Sequence, residues 1–95
     1  MATLNEITVD CAPVQTEADF WGVYVATAKP EGARYFGRNL DAFRDAILGG
    51  GPGYPGECVL RFVNTALLKS FRDGRFHAVL VEIAQNSRFV QVIIE

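Results

Sequence analysis

Two nearly continuous apolar runs constrain the fold of this chain more than any other feature. The first is Cys58–Val63, with the sequence CVLRFV, and the second is Phe89–Ile94, with the sequence FVQVII. Runs of this composition are typical of strands buried in the middle of a sheet, so we expect neither strand to face water on one side. A third, shorter strand is predicted over Leu4–Val9, where apolar residues alternate with polar ones.

The run 20–26, with the sequence FWGVYVA, is ambiguous between strand and helix. Its β-branched and aromatic residues suit a strand, yet its apolar positions also fall at helical spacing. A weak capping box precedes the run, from Thr16 to Asp19, with Asp in place of the preferred Glu or Gln. Lys29–Pro30 follows it and would close a helix. We therefore interpret the run as a helix.

A clearer helix is predicted after Asn39, whose side-chain oxygen can accept from the N–H groups of a first helical turn. Leu40, Phe43 and Ile47 lie at positions i, i+3 and i+7 and form one apolar stripe. The run Gly49–Gly51 is expected to end the helix, because glycine adopts the left-handed carboxyl-terminal conformation without steric cost.

Two further helices are predicted between the two apolar strands. Asn64 is expected to cap a short helix that runs to Phe71, and Asp73 to cap a longer one. The longer helix carries a full apolar stripe from Phe76 to Ile83. Strands that alternate with helices indicate the α/β class. We expect a small three-stranded parallel sheet packed with about four helices.

Length and composition indicate one domain over residues 1–95. The chain has 95 residues, of which 49% are hydrophobic and 21% are charged, as in packed soluble domains. Its net charge of −2 disfavours a nucleic-acid-binding role, which usually requires a basic surface. The sequence shows neither a run long enough to cross a bilayer nor a secretion signal. We expect a soluble cytoplasmic protein.

The two cysteines, Cys11 and Cys58, lack the close spacing of a metal or redox motif. Cys11 follows the first predicted strand and Cys58 opens the second, so a parallel sheet would hold them at opposite ends, too far apart for a disulfide. We expect both to be free thiols. His77 is the one histidine, so a four-ligand His/Cys zinc site is not expected.

The glycine-rich run Gly49–Gly53 invites comparison with a phosphate-binding loop. Such loops follow a strand and open a helix, so that free N–H groups meet the anion. Here the glycines follow a predicted helix and precede a strand, which favours helix termination. The same order argues against a nucleotide or flavin module, and no cofactor is expected.

Asp41 and Asp45 are the residues most suggestive of chemistry. They are spaced i, i+4 on the face of the predicted helix away from its apolar stripe, where two carboxylates repel each other slightly. Ordinary surface ion pairs with Arg38 or Arg44 are the plain interpretation. A small hydrolase is another alternative, and it would require His77 within about 3 Å of a carboxylate, or one water away.

The segment Tyr35–Gly49, with the sequence YFGRNLDAFRDAILG, resembles the signature of the barstar family of ribonuclease inhibitors. In that family the pattern is an aromatic pair, Gly, any residue, Asn-Leu-Asp-Ala, two variable positions, Asp and a downstream Gly. The predicted order of strands and helices over the rest of the chain is also similar to that of the family.

The resemblance implies a bacterial immunity-type protein, not an enzyme, that plugs the active site of a guanyl-specific ribonuclease. Asp45 would replace a phosphate among the enzyme's cationic groups, Asp41 would accept hydrogen bonds beside it, and Tyr35 would stack on the enzyme's rim. Gly37 would let the backbone approach closely, and Asn39 would hold the junction of loop and helix. The partner-binding residues that the resemblance implies are Tyr35, Phe36, Gly37, Arg38, Asn39, Leu40, Asp41, Arg44, Asp45, Leu48 and Gly49.

The chain differs from the best-known member of that family at three positions in this segment or next to it. Arg44 and Gly50 replace aromatic residues, and Arg38 replaces an acid, so the segment carries two acids and two arginines. We expect weaker electrostatic steering or a less basic partner as a result. The best-known member supplies a further acid from its last long helix. That position aligns near Gln85 in this chain, and Glu82 lies one turn earlier. Immunity against a toxin that is not a ribonuclease is the alternative.

Overall fold

A parallel sheet with helices on one of its faces makes up the fold. The computed structural model describes residues 5–95. The strands are β1 (Asn5–Asp10), β2 (Cys58–Val63) and β3 (Val90–Ile94), and the helices are α1 (Glu17–Ala28), α2 (Leu40–Gly49) and α3 (Arg75–Asn86). Two 3-10 segments, Ala33–Tyr35 and Ala66–Gly74, lie between these elements.

The predicted α/β class and three-stranded parallel sheet are confirmed. The described residues contain three α-helices instead of about four, because the segment expected as a short helix after Asn64 is a 3-10 segment. Leu4, which was expected in the first strand, lies outside the described residues.

The strand order β1-β2-β3 determines where the helices lie. Crossovers between neighbouring parallel strands are right-handed, and both crossovers here step in the same direction across the sheet. All three helices therefore pack on one face. The residues of the sheet that point to this face form rows across the strands, one of which joins Ile7, Leu60 and Val92.

The other face of the sheet is open, so the expectation that β2 and β3 are buried on both faces is wrong. Along β2, buried residues alternate with half-buried ones. At the centre of the open face the Arg61 guanidinium donates to Glu6 at 2.7 Å and also pairs with Glu95. The apolar outer residues of β2 and β3 are half-buried.

Aromatic side chains fill the space between the sheet and the helices. Phe20 of α1 stacks on Phe62 of β2, with ring centroids 5.2 Å apart. Tyr24 of α1 meets Phe43 of α2 edge-on at 5.4 Å. Phe43 and Ile47 are buried, as predicted from the apolar stripe. This packing fixes α2 and thereby the direction of its exposed face.

The amino end of α1 is a complete capping box. Thr16 Oγ1 accepts from the Asp19 N–H at 3.1 Å, and Asp19 Oδ2 accepts from the Thr16 N–H at 3.1 Å. Lys29 follows the last residue of the helix and caps it with a left-handed backbone, φ 46°. The interpretation of 20–26 as helix is therefore confirmed, and an aspartate serves at the fourth position of the box.

Two predicted caps are wrong, at Asn64 and Asp73. Asn64 has φ 58°, and its amide donates to Asp10 Oδ1 at 2.8 Å. Asp73 has φ 54° and is followed by Gly74, which precedes α3 without any side-chain cap. Asn and Asp adopt the left-handed region more readily than other non-glycine residues, so here they form turns.

Cys11 and Cys58 lie at opposite ends of the paired strands β1 and β2, as expected. Cys58 is paired with Asn5 at the start of β1, whereas Cys11 follows Asp10 at its end. Both thiols are free and buried. None of the helices in residues 5–95 is long and apolar enough to span a membrane.

Candidate functional site

The junction between the loop and α2 is fixed by the side chain of Asn39. Its Oδ1 accepts from the Ala42 N–H at 2.7 Å, and its Nδ2 donates to the Gly37 carbonyl at 3.3 Å. A Cβ at residue 37 would lie 3.1 Å from the Ala42 Cβ. The predicted cap is confirmed, and Gly37 allows a close approach of the loop to α2 itself.

Tyr35 and Phe36 are neighbours in different environments. The side chain of Tyr35 is 73% exposed, whereas that of Phe36 is 5% exposed. Phe36 packs edge-on against Trp21 and Tyr24, with ring centroids 5.7 and 5.8 Å away. Phe36 therefore holds the loop on the core, and Tyr35 is the aromatic side chain that a partner could touch.

Asp41 and Asp45 are both exposed on α2, one turn apart. The stripe that contains Phe43 and Ile47 is buried on the other side of the helix. Within residues 5–95, neither carboxylate takes part in an ion pair. Two negative groups on a rigid helix are thus open to donors from outside the chain.

Arg44 is tied to Glu82 of α3, with 2.8 Å between Nη1 and Oε1. This hydrogen bond from Arg44 holds the pKa of Glu82 below its ordinary value and raises the pKa of Arg44. Glu82 and Gln85 are the two positions that align near the further acid of the family. Glu82 lies beside α2. Gln85 instead lines a separate groove next to β3.

A cleft separates the amino end of α2 from the start of α3. It consists of two adjoining hollows of about 420 and 350 Å³ that share Leu40, Arg72 and Val79. Leu40 and Val79 give the cleft its apolar lining, and the other lining residues are polar or charged. These are Asn39, Asp41, Arg44, Arg72, Asp73 and Arg75. A cleft of this size and mixture can receive side chains of another protein.

One wall of the cleft is a left-handed turn that sequence reasoning missed. Arg72, Asp73 and Gly74 have φ angles of 51°, 54° and 90° in succession. Arg72 is held there by Glu17 of α1, with 2.8 Å between Nε and Oε2. The Asp73–Gly74 dipeptide is typical of turns and was the available signal. No pattern in the sequence around Arg72 and Arg75 indicates that these residues lie near α2.

The glycines after α2 end the helix, as predicted. The N–H groups of Gly50 and Gly51 donate to α2 carbonyls at 3.0 and 3.3 Å, and that of Gly53 donates to Glu31 at 2.8 Å. Gly50 has φ 73°, the left-handed conformation of a helix end. A phosphate-binding loop needs N–H groups that face a ligand, and these are already bonded within the chain.

The hydrolase alternative is not supported by the position of His77. His77 is half-buried on α3, and within residues 5–95 it forms no ion pair with Asp41 or Asp45. The α3 side chain that does bond to α2 is Glu82. In the same part of the chain, no group of three His, Cys, Asp or Glu residues is placed to hold a metal ion.

Comparison with known proteins identifies a family for this chain. A family model described as Barstar (barnase inhibitor) matches residues 4–91, which include all three helices and the whole segment Tyr35–Gly49. That description names an inhibitor of an enzyme. No curated protein matches the chain.

Proposed function

Because this chain belongs to the barstar family, we propose that it inhibits a guanyl-specific bacterial ribonuclease by occupying the enzyme's active site. The observation that carries the proposal is the pair Asp41 and Asp45, exposed one turn apart on α2. A ribonuclease active site must hold phosphate with Arg, Lys and His side chains. Carboxylates on a rigid helix suit the same cationic groups. The protein then acts as an inhibitor and not as an enzyme.

Asp45 takes the place of an RNA phosphate in the enzyme. It lies in the middle of α2, whose backbone is fixed by the core residues Phe43 and Ile47. Its two oxygens can accept paired hydrogen bonds from a guanidinium group. Because it has no ion-pair partner among residues 5–95, no internal ion pair has to break before binding. Asp41, beside the cleft, accepts bonds at the edge of the same site.

Other residues of the segment Tyr35–Gly49 extend the contact or hold its shape. Tyr35, at 73% exposure, offers an aromatic face for stacking on the enzyme's rim. Leu40 lines the cleft, and Leu48 and Gly49 are exposed at the carboxyl end of α2. The residues that hold the loop in shape are Phe36, Gly37 and Asn39.

The charges around α2 suit a basic partner better than the segment alone suggests. Glu82, from outside the segment, offsets the charge of Arg44. The positive charge of Arg38 then offsets part of the negative charge of the two aspartates. The whole chain has a net charge of −2. Opposite charges accelerate the encounter of two proteins, so a basic ribonuclease would be captured quickly at low salt. We place this encounter in the cytoplasm of the bacterium, where an immunity protein protects cellular RNA.

The test is inhibition of RNA cleavage by a panel of purified guanyl-specific ribonucleases. We expect the wild-type protein to inhibit at least one of them. Asp45→Ala and Asp45→Asn should both weaken inhibition by about 3–5 kcal/mol, because the enzyme's cationic groups are left buried and unpaired. That loss is on the order of 100-fold to several thousand-fold in affinity. Gln91→Ala, an exposed change on the open face of the sheet, should inhibit like the wild type.

Stability measurements separate lost binding from lost folding. Asp45→Ala should melt like the wild type, because alanine is a better helix former and the repulsion from Asp41 disappears. Phe43→Ala empties the core and should cost about 3–5 kcal/mol of unfolding free energy. If Asp45→Ala inhibits as well as the wild type, the phosphate-mimic mechanism is wrong. If the wild type inhibits no ribonuclease at large excess, its partner is a different toxin.

A further inference from the structure

A hollow of about 340 Å³ opens at the carboxyl end of α2, away from the cleft described above. Its lining comes from the last turn of α2, from the loop before β2 and from the residue before β3. The lining residues are Leu48, Gly49, Gly50, Tyr54, Glu57 and Phe89. The hollow therefore joins three segments of the chain that are far apart in sequence.

Two large apolar side chains are exposed to water in this hollow. Phe89 is 60% exposed and Leu48 is 37% exposed. A third wall is the ring of Tyr54, which is half-buried. Exposed aromatic and aliphatic side chains that converge on one depression are typical of surfaces that bind another molecule.

Two glycines create the space between these walls. A Cβ added at Gly49 or at Gly50 would find no atom within 4 Å. Backbone therefore forms this part of the lining, at the end of α2 where the last carbonyl groups have no partner within the helix. These carbonyls and the helix dipole make the carboxyl end of α2 attractive to cations.

Two carboxylate side chains lie at the hollow or beside it. Glu57 lines it, and Glu31 lies next to it, since the Glu31 N–H donates to the Tyr54 carbonyl at 3.0 Å. Burial, followed by the nearby Glu57, raises the pKa of the Tyr54 hydroxyl. The lining residues include no Lys or Arg. A group that is apolar along its length and positively charged at its end fits this lining.

We propose that this hollow binds an Arg or Lys side chain of the enzyme that α2 inhibits. The aliphatic stem lies between Leu48 and Phe89, and the cationic head bonds to Glu57 and to the carbonyls that end α2. The aromatic rings of Tyr54 and Phe89 offer cation–π contact to the same head.

Continuity with Asp45 identifies the occupant as part of the same enzyme, so this contact rests on the proposed function. Asp41, Asp45 and Gly49 follow one another at i, i+4 spacing and share one face of α2. Gly49 is about 6 Å along the helix axis from Asp45. An enzyme that binds Asp45 can therefore also reach the hollow along the same face of α2.

Filling the hollow is the direct test. Gly49→Leu places a side chain in the space, while Gly22→Leu on α1 is the matched control, since it is also a helical glycine with no atom within 4 Å of a new Cβ. We expect Gly49→Leu to weaken ribonuclease inhibition about 10- to 100-fold, which is the affinity that a hydrogen bond to a charged group contributes. Gly22→Leu should leave inhibition unchanged. Melting curves confirm that both variants are folded.

If Gly49→Leu is unstable, a variant that changes only the charge of the hollow tests the same contact. Glu57→Gln preserves the shape of the hollow and removes its carboxylate, while Glu6→Gln removes the same charge from the open face of the sheet. We expect Glu57→Gln to weaken inhibition about tenfold and to reduce its dependence on salt. An equal effect of Glu6→Gln would contradict a local role of Glu57.

The outcomes distinguish the hollow from the proposed function. If the wild type inhibits and Asp45→Ala does not, while Gly49→Leu and Glu57→Gln inhibit normally, the proposed function stands and the hollow is not a contact site. If the wild type inhibits no ribonuclease, both are wrong.

Discussion

Arg44 of α2 and Glu82 of α3 are joined by a hydrogen-bonded ion pair across 2.8 Å, although 38 positions separate them in the sequence. The two side chains are 39% and 54% exposed, so water screens their attraction and the pair adds little to stability. Its larger effect is to hold the charge of Arg44 towards α3. Without Glu82, that charge would be free to approach Asp41 or Asp45.

If the partner is the basic ribonuclease proposed above, we expect Glu82→Gln to slow association several-fold at low salt, because the released Arg44 repels a basic surface. The fold should be unaffected. Stopped-flow measurement of the association rate at two salt concentrations checks this, since the difference should shrink as salt screens the charges.

Arg44→Gln supplies the control for that prediction. In the Arg44→Gln background, Glu82→Gln should have a smaller effect on the association rate, because no cation is left to release. An equal slowing in both backgrounds would show that Glu82 acts on the enzyme directly.

The carboxyl group of Glu82 should titrate at a lower pH than an unpaired glutamate, because the hydrogen bond from Arg44 lowers its pKa. A carboxyl group with a lowered folded-state pKa stabilises the fold above its unfolded-state pKa, and this contribution is lost as the pH falls through the folded-state value. Carbon-13 NMR titration measures the shift. It should disappear in Arg44→Gln; a low pKa that persists there would require another cause.

Tyr24→Phe should destabilise the protein by about 1–3 kcal/mol. The Tyr24 hydroxyl donates to the Gly53 carbonyl at 2.6 Å in the interior, and phenylalanine leaves that carbonyl without this donor. Urea denaturation monitored by fluorescence gives the free energy of unfolding. Tyr35→Phe, which changes an exposed hydroxyl, should unfold like the wild type.

Gly53→Ala should destabilise the protein more than Gly56→Ala does. Both glycines have left-handed backbones, with φ 100° and 87°, so both variants carry backbone strain. At Gly53 the new Cβ would also lie 2.5 Å from the Phe36 ring, whereas at Gly56 it would meet nothing within 4 Å. The clash should add about 1–3 kcal/mol to the loss, measured by melting. Equal losses would show that the Phe36 ring moves aside freely.

A thiol titration should find two free cysteines after denaturation without reductant. In the folded protein Cys11 should react slowly, because burial, reinforced by nearby Asp10, raises its pKa to about 11 and keeps the thiol protonated near neutral pH. Recovery of no thiol from a denatured monomer would contradict the strand directions described above.

Local chemistry was enough to predict much of the fold and part of the site. The Asn39 cap, the glycine end of α2 and the exposed positions of Asp41 and Asp45 all follow from spacing along one helix. These features depend on residues within a few positions of one another. The same is true of β2, whose run of apolar residues indicates a strand wherever it lies in a sheet.

Features that depend on distant contacts could not be predicted. Asn64 has a residue type that caps helices, yet its amide bonds to Asp10, and its backbone forms a turn. The burial of Phe36 and the pairing of Arg44 with Glu82 arise only when separate elements pack. The open face of the sheet likewise depends on both crossovers stepping the same way across the strands.

The helix that carries Asp45 is held at both of its ends in the free protein. Asn39 fixes one end, and the left-handed Gly50, together with the bond from Tyr24 to Gly53, fixes the other. The conformational entropy of this segment is therefore lost when the chain folds and not when a second protein arrives. Binding then resembles the docking of rigid bodies, and its strength depends on how well a few exposed side chains fit.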